Sequence, residues 1–201
     1  EDFGRHRITD RLRYHALVAQ LLRWRGSDFH IDINGAEPLQ LGMTDITLEG
    51  ANTSFQVHLR VDPEHYAATF NTLQLVTPLV VAICANSPGL FRHDLWDETR
   101  IPLFKQSIDT RHTDRYRWSE PARVCFGHGW VRAAASELFE QTVRLYPALL
   151  PVCDHDGDAG PVPRLSELRL HQSTVWQWNR AVYDDAGDGH LRVEARALPA
   201  G

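Results

Sequence analysis

Lysine is nearly absent from this chain. Lys and Arg together number 21, and Lys105 is the only lysine. The cations are therefore almost all guanidinium, which suits forked contacts to carboxylates and phosphates, although high genomic GC content produces the same bias. No basic run is present either, and the formal net charge of -5 excludes a general nucleic-acid binder. The three cysteines, Cys84, Cys125 and Cys153, are scattered and never spaced as CxxC. That excludes a disulfide framework or a zinc knot and fits a reduced, cytoplasmic protein, with Cys84 expected to serve packing alone. The longest apolar run, "LQLVTPLVVAICA", is too short for a membrane span, and no leader-like segment is visible, so no membrane partner is expected. GxGxxG, GxxxxGK[ST], GxSxG and HExxH are all missing, which removes support for dinucleotide, P-loop, hydrolase-elbow and zincin chemistry.

What is there is alternation. In "DFHIDING", Phe29, Ile31 and Ile33 alternate with Asp28, His30, Asp32 and Asn34. In "TSFQVHLRV", Phe55, Val57, Leu59 and Val61 form one face, and Ser54, Gln56, His58 and Arg60 the other. In "HLRVEARALPAG", Leu191, Val193, Ala195 and Ala197 face away from Arg192, Glu194 and Arg196. A period of two with one oily face predicts half-buried antiparallel strands. One polar face of this kind is ordinarily just wet; three of them, rich in Gln, His, Glu, Asp and Arg, suit metal and phosphate chemistry.

Between the strands the spacing predicts a helix over 8–24, capped by Thr9 or Asp10 and stopped at Gly26. A second begins at Asp62 with Pro63 in its first turn and carries a kink at Pro78. A third covers "VRAAASELFEQTVRLYPAL". Residues 35–53 and 89–118 are expected to be loops, "RVCFG" a short strand and "STVWQWNRAVYD" a longer one, closed by a hairpin at "DAGDG". Asp154, Asp156 and Asp158 suggest a calcium loop, but Ala159 and Leu165 stand where such a loop needs Gly and Glu. With 201 residues and 43% hydrophobic content, the chain suffices for one soluble domain of α+β class, and no internal boundary is visible. It opens without Met and closes on "PAG" straight after a strand, which reads as a piece of something longer.

Three segments, "TSFQVHLRVDPEHYAATFNTLQLVTPLVVAICANSPGL", "WDETRIPLF" and "HLRVEARALPAG", resemble in order and spacing the glutamate–cysteine ligase type 2 family of ATP-dependent carboxylate–amine ligases. The likeness runs from about residue 10 to the end. It implies a partial glutamine synthetase-like catalytic domain over 1–201, with a curved antiparallel sheet, helices on one face, and ATP and Mg²⁺ on the other. The family's early strand with alternate glutamates has no counterpart, so the N-terminal metal-binding strand is expected to be missing. By the same resemblance, Glu194 and Gln56 would be metal ligands, and Arg196 and Arg100 catalytic arginines near the phosphates. His58 and Arg180 would lie on the nucleotide or substrate side. The implied reaction phosphorylates the γ-carboxylate of glutamate, and an amine such as cysteine then displaces phosphate, as in glutathione biosynthesis. The alternatives are a ligase for another acid and amine, or a ligand-binding or regulatory module of the same fold without turnover. Self-association is left open.

Overall fold

A computed structural model describes residues 8–111, 121–151 and 160–200; Cys153 and the aspartates of the rejected calcium loop lie outside them. The protein is mixed α/β, with five α-helices and several small antiparallel sheets among the described residues. It divides into two compact units that interleave along the chain. The first comprises Glu1–Phe55, Ile83–Val124 and Leu198–Gly201; the second comprises Gln56–Ala82 and Cys125–Ala197.

The first unit opens with α1 (Leu12–Arg25). The helix starts later than its spacing predicts because Asp10 bonds the His15 ring at 2.8 Å and caps nothing. It ends at Gly26, whose φ of 67° lets its N–H reach the Leu22 carbonyl at 2.9 Å. Strand β1 (Phe29–Ile33) alternates buried and exposed as its sequence predicts. It pairs with β2 (Leu39–Met43), followed by a short 3₁₀ turn, Thr47–Ala51, both in a stretch expected to be loop. Later in the chain come the two-residue strands β4 (Gly89–Leu90) and β5 (His93–Asp94), then α3 (Arg100–Ser107). Here too a loop was expected. Pro102 reads as a breaker, yet it falls in the first turn of α3, where a missing N–H costs nothing. Ile31, Ile33, Leu48 and Leu103 form the core of this unit. The Gln106 amide accepts from the Asp32 N–H at 2.6 Å and donates to the Asp32 carbonyl at 3.0 Å, so α3 is fastened to the backbone of β1.

The second unit is built on a three-stranded sheet in the order β3 (Ser54–Val61), β9 (His190–Pro199), β8 (Asn179–Asp184). Both α2 (Tyr66–Cys84) and α4 (Ser136–Leu145) supply its core, in which Tyr66, Phe70 and Leu138 meet Val61, Ala181 and Val193. Of the expected members Phe55, Val57, Leu59, Val193 and Ala195, only Val193 is in it, and Phe55 and Leu59 are 59% and 38% exposed. Helix α2 runs through Pro78 to Cys84, which is exposed and packs no core. With the 3₁₀ turn before it, this helix spans Pro63–Cys84, 22 residues, long and apolar enough by length and composition to cross a membrane. The apolar run set aside as too short is thus part of a longer helix. Its Leu75, Val76 and Leu79 are exposed, while Tyr66, Phe70 and Thr77 are buried.

Helix α4 begins five residues later than expected. Glu137 turns back to accept the N–H groups of Arg132, Ala133 and Ala134, which draws the alanines into a loop. It stops at Tyr146, held extended (ψ 122°) before Pro147. The remaining elements are β6 (Val124–Cys125), α5 (Ser166–Gln172) and β7 (Trp176–Gln177). The expected strand over 173–184 is therefore broken between β7 and β8 at Trp178, whose N–H turns to the Cys125 carbonyl at 2.9 Å.

Candidate functional site

The hairpin of β8 and β9 sets the register on which the polar face depends. Arg180 stands opposite Glu194, Val182 opposite Arg192 and Asp184 opposite His190. Because side chains alternate, Ala181 and Val193 point into the helix-covered core while Arg180 and Glu194 point the other way. On the other edge of β9, His58 of β3 brings Nε2 to 3.8 Å from Glu194 Oε1. Three strands thus meet at one carboxylate. Alternation adds Gln56 two residues before His58 and Arg196 two residues after Glu194. Contacts join three of the residues singled out in the sequence, His58, Arg180 and Glu194, while Gln56 and Arg196 share their side by alternation alone.

Arg100, the sixth, belongs to the first unit. There it opens α3, 6% exposed, with its guanidinium 3.0 Å from Glu98. Glu98 also accepts the Asn86 N–H, so this pair ties the chain before α3 to the helix itself.

The face is closed to water at Glu194, although Gln56, His58 and Arg60 on β3 are exposed. Glu194 keeps only 2% of its side chain exposed and is ion-paired with Arg180 Nε. Burying a carboxylate without a partner costs several kcal/mol, so the guanidinium and the hidden anion require each other. Glu194 Oε2 is engaged by Arg180, and Oε1 faces the imidazole of His58.

Beside this pair, a cavity of about 140 Å³ is bordered by three arginines: Arg180 and Arg192 from the sheet and Arg169 from α5. Gln172 and Ser173 add polar groups, and Leu168 and Val182 apolar walls. Each arginine leans on a carboxylate. Arg192 pairs with Asp184 at 2.7 Å and Arg169 with Asp185 at 2.6 Å. The Asp184 carboxyl is held below its ordinary range by the Ala186 N–H and, to a smaller degree, by Arg192. A guanidinium has five N–H donors, so one pairing leaves others over, and Arg192 Nε is buried with no hydrogen-bond partner among the described residues. A buried donor of that kind suits an anionic oxygen.

Comparison with protein-family models, with curated proteins and with solved structures finds no match to this chain. The site therefore rests on its own geometry.

Arg169 was not singled out in the sequence, and Arg192 was named only as part of the polar face of β9. Arg192 lies on the same alternating face as Glu194, and that was the available signal. Arg169 could not be placed, because the seven residues of α5 are too few to establish a helical period.

Proposed function

We propose that this chain carries the phosphate-facing part of an ATP-dependent carboxylate–amine ligase of the glutamate–cysteine ligase kind, on a partial glutamine synthetase-like fold. The observation that carries the reading is the buried Glu194 between His58 and Arg180, set beside a cavity bordered by Arg169, Arg180 and Arg192. The resemblance across the β3–α2 and β9 segments supports it.

The donor set fits a Mg²⁺ ion held through one carboxylate, since that ion keeps several waters and takes its other oxygens from substrate phosphates. Glu194 Oε1 would hold it, with His58 and Gln56 beside it, and Arg180 would orient the carboxylate from behind. When bound, the ion would neutralise phosphate charge. The arginines would do the rest, fixing the phosphates and stabilising charge as the phosphoryl group moves to the acid. Glutamate and an amine such as cysteine are the proposed substrates.

A second reading is an anion-binding module without turnover. It is favoured by the fact that Arg180 already neutralises Glu194, and no group of three or more His, Cys, Asp or Glu is placed to hold a metal among the described residues.

Titration of ATP with and without Mg²⁺, alongside phosphate release across pairs of amino acids, separates the two readings. The ligase reading expects Mg²⁺-dependent ATP binding that Glu194→Gln abolishes, and a fall in turnover larger than the fall in affinity for Arg196→Lys. Anion binding that ignores Mg²⁺ and survives Glu194→Gln would favour the module. ATP binding unchanged in an Arg192→Ala, Arg169→Ala double variant would remove the site altogether.

A further inference from the structure

Cys125 ends β6 and takes no part in the sheet face. The chain turns sharply after it: Gly127 adopts φ 96°, a conformation that favours glycine, and its N–H points back to Cys125 Sγ at 3.4 Å. The sulfur lies 3.7 Å from Tyr146 Oη and 3.9 Å from His128 Nε2. The phenol oxygen and the imidazole nitrogen are in turn 2.8 Å apart. Tyr146 is 1% exposed, Cys125 half-buried and His128 exposed. The phenol is therefore a fixed bridge between a reachable sulfur and an imidazole open to water. A further group is unspent. Gln177 is 4% exposed, and its Nε2 has no hydrogen-bond partner among the described residues. That nitrogen lies 3.9 Å from the point a Cβ on Gly127 would occupy, beside the turn that carries the thiol.

We propose that Cys125 is a reactive thiol, a modification site for hydroperoxides, with His128 as its proton acceptor through the Tyr146 hydroxyl. The thiol proton passes to the Tyr146 oxygen while Tyr146 passes its own to His128 Nε2. The sulfur attacks the nearer peroxide oxygen. An S–O bond forms and the O–O bond breaks, its electron pair leaving on the distal oxygen. That oxygen recovers the proton from His128 by the same route and departs as water, or as an alcohol from an organic peroxide. Sulfur is oxidised by two electrons to the sulfenic acid and the peroxide is reduced by two.

The parts suit these roles. Partial burial of the ring holds the His128 imidazole below its ordinary value, which favours the neutral form that accepts a proton. The Gly127 N–H supports negative charge on sulfur, and the Gln177 amide is a free donor for a peroxide oxygen.

Cys84 supplies the internal reference. It is exposed on α2 and more accessible than Cys125. The protein is treated with limiting hydrogen peroxide in the presence of dimedone, and adducts at each cysteine are followed by peptide mass spectrometry. Cys125 should be labelled at least ~10-fold faster than Cys84, a modest share of what a positioned base supplies. His128→Gln and Tyr146→Phe should each bring Cys125 close to the Cys84 rate, and iodoacetamide should follow the same order. Equal labelling of Cys84 and Cys125 in the unaltered protein would overturn the proposal, as would unchanged rates in both variants. A parallel incubation with oxidised glutathione tests the reagent class: faster mixed-disulfide formation than sulfenic acid would rule out hydroperoxides as the preferred partner.

Discussion

Arg180 and Glu194 are coupled tightly enough to be tested as a unit. Arg180→Met removes the guanidinium and leaves the Glu194 carboxylate, 2% exposed, beside the half-exposed His58 imidazole. Breaking a buried pair from one side costs about 3–5 kcal/mol; Arg180 keeps 22% of its side chain in water, so a loss of about 2–4 kcal/mol is expected. Arg180→Met with Glu194→Leu should recover much of it, because the stranded charge is gone. Urea unfolding of the two single variants and the double variant measures the coupling, and additive losses would show that the pair does not act as one. Alternation in the sequence put His58 and Glu194 on one side of the sheet, and there they meet, with Arg180 beside them. It could not give depth. Whether a polar face meets water or protein depends on what packs over it, and a period of two carries no record of that.

The start of α4 shows the same limit for elements and carries a pH dependence. Three backbone N–H groups, from Ala133, Arg132 and Ala134, hold the Glu137 carboxyl below its ordinary value. A carboxyl lowered in the folded state stabilises the fold above its unfolded value, and that contribution is lost as pH falls through the folded one. Asp184 acts in the same direction. His128 does too: its lowered value means that acid protonates the unfolded chain first, so stability begins to fall below the ordinary histidine value. The melting temperature should therefore drop in two stages on acidification. Glu137→Gln should melt lower than the unaltered protein at neutral pH and flatten the second stage, leaving the first in place. A pH profile of Glu137→Gln parallel to that of the unaltered protein would mean the reach-back contributes nothing. The helix start was misplaced because three alanines in a row favour helix, and only the folded loop shows the carboxylate competing for their N–H groups. Elements such as β1, with a clean alternation, were legible; β2, equally long, was hidden among Gly35, Pro38 and Gly42, and α3 and α5 were too short to declare a period.

Across the whole molecule, the chain passes between its two units at 55/56, 82/83, 124/125 and 197/198. All four crossings fall inside elements, β3, α2, β6 and β9. No linker composition marks them, which is why the sequence reads as a single domain. The core of the second unit draws Val61, Tyr66 and Phe70 from one segment and Val131, Leu138, Ala181 and Val193 from another. Residues 125–197 alone would lose both aromatics, each contributing about 1.5–3 kcal/mol on burial, from a fold whose whole stability is only about 5–15 kcal/mol. That segment should show no near-ultraviolet circular dichroism and no cooperative urea transition. A sharp transition would mean the core closes without α2.

The amide of Gln106 mimics a peptide group. Its oxygen takes an N–H and its nitrogen gives to a carbonyl on one residue of β1, as the peptide group of an adjacent strand would. A side chain is thus standing in for backbone at the margin of a two-stranded sheet. Bare margins recruit strands from other molecules and seed insoluble polymer. One glutamine, supplied by a helix from seventy-four residues further along the chain, acts as a plug there, and it forms only once α3 has docked. Until then, a nascent chain carries an open socket for its neighbours.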